Sequence, residues 1–153
     1  MISLDDRRID TININVRLAT LKDFNQISEL MQELLGGPIN ERKNIFKEAL
    51  SFKNYISLVA EVNGDIVGFI DIWHFPDIGH GAKLGIIENF IVSGSHRKMG
   101  IGGKLLEESI KIAIKEKLHE LHVWTQFKNE NAIKMYKKHG FTNENLLLER
   151  EFE

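Results

Sequence analysis

A chain of 153 residues with 42% hydrophobic and 27% charged side chains can bury one core and is short for two, so residues 1–153 read as a single domain. A net charge of −2 argues against an electrostatic grip on nucleic acid, no apolar run reaches membrane-spanning length, and the lack of cysteine excludes disulfides and thiolate chemistry. The N-terminus, with Asp5, Asp6, Arg7 and Arg8, lacks the apolar core of a signal peptide, and a cytoplasmic protein is expected.

Residues 1–12 are polar and read as a loose arm, with a partner contact as the other reading. Ile14, Val16 and Leu18 then alternate with polar residues, as in a half-buried strand. Thr20 and Asp23 form a T-x-x-D helix start, and Phe24, Ile27, Leu30, Met31 and Leu34 share one helical face that ends at Gly36-Gly37-Pro38. Asn40 is placed to cap a second helix running to about Leu50, with Ile45, Phe46 and Leu50 inward. Two β-rich runs follow, Tyr55 to Val62 and Ile66 to Phe75, separated by the hairpin signal Asn63-Gly64-Asp65.

After a turn over Pro76 to Ala82, a further strand covers Leu84 to Val92. A helix comes next, with Leu105, Leu106, Ile110, Ile112 and Ile114 on or near its buried face. A strand at about Glu120 to Phe127, a short helix from about Asn131 to Lys138 and a last strand over Leu146 to Phe152 complete the order. Hairpins at either end and a strand–helix–strand crossover between them imply an α/β fold with a mixed sheet.

The stretch from Glu88 to Leu106 carries the most chemistry, because an apolar strand passes through Arg97 and a glycine-rich turn directly into an amphipathic helix. The N–H groups of a first helical turn lack intrahelical partners and carry the positive end of the helix dipole, so such a turn cradles an anion. Gly100, Gly102 and Gly103 let the backbone approach that anion closely. A dinucleotide fingerprint from Gly100 would need glycine at Leu105; a P-loop ending at Gly103-Lys104 would need glycine at Lys98 and Ser or Thr at Leu105. Neither fits, which disfavours a nucleotide-binding regulator.

The pattern that remains, Arg97-x-x-Gly100-x-Gly102, resembles the Q/R-x-x-G-x-G/A loop of the GCN5-related N-acetyltransferase (GNAT) family. Glu88-Asn-Phe-Ile-Val92 resembles that family's central strand, Asn131-Ala-Ile-Lys-Met-Tyr136 with Gly140-Phe141 its asparagine, tyrosine and Gly-Phe signature, and Val16 to Asp23 its first strand and helix start. The likeness runs in order from about Asn13 across nearly the whole chain. It implies a mixed, mostly antiparallel central sheet with a splayed parallel strand pair, flanked by about four helices. It also implies acetyl-CoA as co-substrate, with its pyrophosphate held over Arg97, Lys98, Met99, Gly100, Ile101, Gly102, Gly103 and Lys104.

On the same resemblance, main-chain groups of Phe90, Ile91 and Val92 contact the pantetheine arm and the acetyl carbonyl, and Asn131 holds the pantetheine or fixes the helix start. The expected partners are acetyl-CoA and an amine, without nucleic acid or membrane, and a homodimer is left open. No metal is expected: Asp71, His74, Asp77 and His80 are irregularly spaced across a strand end and turn, and lining the acceptor cleft is their other reading. His119 and His122, three apart on an expected strand, should face opposite sides.

Two residues are candidates for the chemistry. An amine with pKa near 10.4 is neutral in roughly one molecule in a few thousand at pH 7, so attack on a thioester needs a base. Glu88, in the strand beside the expected thioester, is that candidate, directly or through water. Coenzyme A leaves as a thiolate unless it is protonated or hydrogen-bonded, and the phenol of Tyr136 is the candidate donor. Together these residues describe direct acetyl transfer to a primary amine in a ternary complex. The acceptor stays open among a protein N-terminus or lysine, a polyamine, an aminoglycoside or another small amine. A non-catalytic acetyl-CoA sensor is the alternative, against which stands the presence of both Glu88 and Tyr136.

Overall fold

The computed structural model describes residues 12–153, so the arm expected over residues 1–12 lies, apart from Ile12, outside the described residues. Five strands form one sheet in the order β1-β2-β3-β4-β5: β1 is Ile14–Leu18, β2 Tyr55–Val62, β3 Asp65–Asp77, β4 Ala82–Val92 and β5 Glu120–Val123. Neighbours from β1 to β4 are antiparallel, and β4 with β5 is the parallel pair that the crossover requires. Asn63 and Gly64 both have positive φ, 52° and 82°, as a two-residue hairpin between right-twisted strands demands.

Four helices cover both faces: α1 (Phe24–Leu35) and α2 (Ile39–Ala49) on one, α3 (Ile101–Lys115) and α4 (Glu130–Lys138) on the other. Because side chains alternate along a strand, β2 and β3 feed two cores. Leu58, Ala60, Ile70 and Ile72 pack with Ile101, Leu105 and Leu106 of α3, while Val59 and Phe69 pack with Phe24, Ile27, Leu30 and Phe46 of the α1 and α2 layer. Burial on both faces explains why these strands read as nearly continuous apolar runs.

Arg17 on β1 locks the first helix to the sheet. Its guanidinium donates to both oxygens of Asp23 at 2.8 Å and to Glu61 on β2, and Asp23 also accepts the Thr20 N–H at 2.8 Å. The T-x-x-D start therefore forms, and it recruits a cation from the neighbouring strand.

Several sequence expectations need correction. No strand forms over Leu146 to Phe152; Leu146, Leu148 and Phe152 are 69%, 84% and 82% exposed. The pattern favours a strand, but a strand needs a partner edge, and β5 stops at Val123, short of the expected Phe127. Ile45 on α2 and Ile114 on α3 face solvent, whereas Ala49 takes the buried place beside Phe46. Pro38, not Asn40, occupies the N-cap position of α2. Among the described residues no helix is long and apolar enough to cross a membrane.

Candidate active site

The parallel pairing of β4 with β5 runs only from Leu84↔Glu120 to Ile87↔Val123. Beyond Ile87, β4 continues for five residues, Glu88 to Val92, with β5 no longer beside it. The cause of the divergence is local. Ile72 pairs with Ile87 and Ile70 with Phe90, so Glu88 and Asn89 on β4 oppose the single residue Asp71 on β3. This is a β-bulge, which bends its strand and adds twist.

Asp71 stabilises that bulge. Its carboxylate accepts the Asn89 main-chain N–H at 2.7 Å, the Asn89 side-chain amide at 3.0 Å and the Tyr55 hydroxyl at 2.9 Å. Desolvation pushes the Asp71 carboxyl up, with the three hydrogen bonds opposing the shift. Burial, with the Asp71 charge next, likewise raises the Tyr55 phenol, so Tyr55 stays a donor.

The bulge also decides which main-chain groups face the opening. Ser93 N–H donates to Val67 O on β3 at 2.8 Å, and Asn89 N–H points to Asp71 on the same side. Strand alternation then turns the N–H and C=O of Ile91 toward β3 and those of Phe90 and Val92 away from it, into the gap that β5 leaves. Of the three residues expected to offer backbone contacts, Phe90 and Val92 are therefore oriented to do so and Ile91 is not.

At the end of β4 the chain turns through Arg97, exposed, into α3. Lys98 and Gly100 have left-handed φ, 61° and 81°, and Gly100 caps the helix. The first helical bond is Lys104 N–H to Gly100 O, 3.1 Å, so the N–H groups of Ile101, Gly102 and Gly103 precede the intrahelical ladder. That is the geometry of an anion cradle, and it fits a pyrophosphate. Lys104 is placed differently from the expectation, since its ammonium donates to Ile14 O on β1 at 2.8 Å. Lys98 and Met99 are exposed at the rim.

A Cβ added to Gly102 would lie 3.5 Å from Met135 Sδ, 3.6 Å from Phe90 Cζ and 3.7 Å from Val92 Cγ2, so this glycine of the cradle sits where β4, α3 and α4 meet. Tyr136 is buried there, its ring 6.2 Å from Phe90 and 5.9 Å from Phe141 between centroids. Burial pushes its phenol up to about 12, which keeps it protonated at neutral pH. Asn131 is exposed in the first turn of α4, and the cap of that helix is Asn129, whose side chain accepts the Ala132 N–H at 3.4 Å. Fixing the helix start thus falls to Asn129, a residue the sequence reading passed over.

Glu88 stands exposed within the bulge, close enough to Asp71 for its charge to contribute to raising that carboxyl. The other polar residues separate. Asp71 and His74 are buried, while Asp77 and His80 pair at the β3–β4 turn. His119 precedes β5 instead of lying on it, and its ring comes 5.5 Å from that of His80, so the opposite-face expectation for His119 and His122 fails. The bulge residues Asp71 and Asn89 were not read as structural, although one signal was available: Asp71 is a lone carboxylate inside the apolar run Gly68-Phe-Ile-Asp-Ile-Trp73.

Comparison with known proteins agrees with this fold. The N-alpha-acetyltransferase of Sulfolobus acidocaldarius is 31% identical over 150 residues, covering 89% of this chain and 84% of that protein. That of Sulfurisphaera tokodaii is 32% identical over 140 residues, covering 82% and 78%. The fold matches the structure of AAC(6')-Iy in complex with a bisubstrate analog with a TM-score of 0.80 at 20% identity, over 92% of this chain and 99% of that one. The acetyltransferase (GNAT) family model matches residues 24–141, a span that takes in the bulged strand, the cradle and Tyr136, and the chain belongs to that family.

Proposed function

We propose that this acetyl-CoA-dependent N-acetyltransferase acts on the α-amine of a protein N-terminus. The observation that carries the acceptor is the likeness, at 31% and 32% identity over most of both chains, to two relatives named N-alpha-acetyltransferase. An α-amine has a pKa of about 7.7–8.0, far below that of a lysine, so an appreciable fraction is already neutral at pH 7 and the base has less to do. An exposed base such as Glu88, relaying through water, suits such an acceptor better than a deeply desolvated one.

In this reading the N–H groups of Ile101, Gly102 and Gly103, with Arg97, hold the pyrophosphate of acetyl-CoA. The main-chain groups of Phe90 and Val92 align the pantetheine arm, and the Val92 N–H receives the negative charge that develops on the acetyl oxygen. Asn131 adds a contact to the arm. The amine attacks the thioester directly, Glu88 accepts its proton, and the carbon–sulfur bond breaks to release coenzyme A. Burial raises the Tyr136 phenol to about 12, which makes it a weaker acid than a thiol, so full proton transfer from Tyr136 to the thiolate is uphill. Tyr136 therefore stabilises the departing thiolate as a hydrogen-bond donor, and the thiolate takes any proton from solvent.

The test is coenzyme A release with a matched panel: peptides with a free N-terminus, the same peptides blocked at the α-amine but carrying an internal lysine, spermidine, and an aminoglycoside. Turnover confined to free N-termini supports the proposal. Preference for any other member assigns the acceptor to that class instead.

A further inference from the structure

A cluster of histidines and carboxylates gathers where the β3–β4 turn meets the start of β5. His80, His119 and Glu120 each offer one ligand atom, and these atoms lie within 4.8 Å of one another. His80 Nε2 and Glu120 Oε1 are 3.3 Å apart. Zinc bonds of about 2.0–2.2 Å at tetrahedral angles hold neighbouring donors roughly 3.3–3.5 Å apart. That pair already stands at ligand spacing, and His119, whose ring centroid is 5.5 Å from that of His80, needs only a side-chain adjustment to join it.

Each side also has an outer partner. Asp77 Oδ2 lies 2.7 Å from His80 Nδ1 and also accepts the His80 main-chain N–H at 2.8 Å. With the Nδ1 proton given to Asp77, the Nε2 lone pair of His80 is free to face the cluster, which is how carboxylates orient metal-binding imidazoles. His122 Nε2 stands 2.8 Å from Glu120 Oε2, leaving Oε1 for the shared centre. The main chain is anchored as well, since His119 N–H donates to Lys83 O at 2.8 Å.

We propose that His80, His119 and Glu120 bind a divalent transition-metal ion of the zinc type, with water in the fourth position. The ion clasps the β3–β4 turn to the start of β5, at the closed end of the wedge between β4 and β5. The cradle lies beyond the other end of β4, some 30 Å away at about 3.3 Å per residue, so the ion takes no part in acetyl transfer. The competing description of the same atoms is metal-free: an imidazolium at His80 bridging Asp77 and Glu120. It predicts a different response to metal.

The test uses tag-free, chelator-treated full-length protein titrated calorimetrically with zinc chloride, with cobalt(II) absorption as a second probe. One equivalent of zinc should bind at micromolar concentration or below, and cobalt should give the intense visible bands of a tetrahedral site. His80→Ala and His119→Ala should each weaken zinc at least tenfold, and Asp77→Asn, an outer partner, about ten- to a hundredfold. At a zinc concentration just above the parent's Kd, zinc should raise the melting midpoint of the parent and not of His80→Ala or His119→Ala, with metal-free melts as the check that both variants fold. Parent-like zinc binding in His80→Ala, or no saturable binding below about 100 µM in the parent, overturns the proposal. A metal-free midpoint that drops in His80→Ala without any zinc response in the parent assigns the cluster to ion pairing.

Discussion

The carboxylate of Asp71 occupies the place where the β3–β4 ladder would otherwise leave the Asn89 N–H without an acceptor, at 2.7 Å. A strand that splays for a ligand must lose ladder hydrogen bonds, and here a buried side chain replaces one of them. Asp71→Asn tests this. Three donors converge on two oxygens, and the asparagine amide would turn a donor toward another donor. A loss of about 1–3 kcal/mol is expected, read as a midpoint lower by about 2–4 °C per kcal/mol in a chain of this size. Turnover should fall as well, because the main-chain groups of Phe90 and Val92 depend on the bulge for their direction.

Tyr136→Phe removes one hydroxyl and leaves the packing against Phe90 and Phe141 in place. Acetyl-CoA affinity by calorimetry should be nearly unchanged, while kcat falls about ten- to a hundredfold, since the hydroxyl matters as the thiolate leaves. A parent-like kcat with chemistry rate-limiting would leave Tyr136 as a packing residue only.

Glu88→Gln keeps the shape of an exposed bulge residue and removes the base. Turnover should drop at neutral pH and recover in part as the pH rises and more of the acceptor is neutral. The parent and variant pH profiles with one peptide decide the matter; superimposable profiles exclude Glu88 as the base.

Gly102 separates fit from obstruction. At 3.5 Å or more from its neighbours, the Cβ of Gly102→Ala makes ordinary contacts, so this variant should fold and bind acetyl-CoA with modest loss. Gly102→Val pushes methyl groups between Phe90, Val92 and Met135 and should weaken acetyl-CoA at least tenfold by calorimetry. Equal binding by the valine variant and the parent would place the co-substrate elsewhere.

The hydrogen-bonded Arg17 holds the Asp23 carboxyl at about 2, below its unfolded value near 3.9. A depressed carboxylate stabilises above its unfolded pKa and loses that contribution as the pH falls toward the folded one. The Arg17–Asp23 contribution, of order 1–2 kcal/mol after allowing for the exposure of Arg17, should therefore disappear between about pH 4 and pH 2. Asp71, raised by burial, runs with the opposite sign, stabilising at low pH and losing that effect as the pH rises. Urea melts of the parent and Asp23→Asn across that window should converge at its acid end.

What was legible in the sequence was local. The Asn63-Gly64 turn and the glycine start of α3 are set by backbone preference within a few residues and formed as read, whereas the alternation in β1 holds for Ile14 and Val16 but not for Leu18, which is 62% exposed at the strand's end. Pairing is not local: nothing near Leu146 records that β5 ends at Val123 and presents it no ladder. A bulge that splays Glu88 to Val92 was implied by the family resemblance, but its position was hidden for a related reason, since the extra β4 residue shows only against its partner strand, where Ile70 and Ile72 flank a single Asp71. His119 was misread because it was counted on the strand, whereas β5 begins at Glu120, as its own pattern indicates, and a residue before the strand is free of its alternation.

The two cores, separated by the sheet, also divide the molecule's evolutionary liberties. Residues such as Phe24, Phe46 and Phe69 touch α1 and α2, whereas Ile101, Leu105 and Tyr136 belong to the opposite face. Distant, non-touching substitutions add nearly independently. Drift in the α1 and α2 layer, or insertion at the Gly36-Gly37 corner, can therefore reshape one wall of the enzyme while the grip on a universal acyl donor is inherited intact.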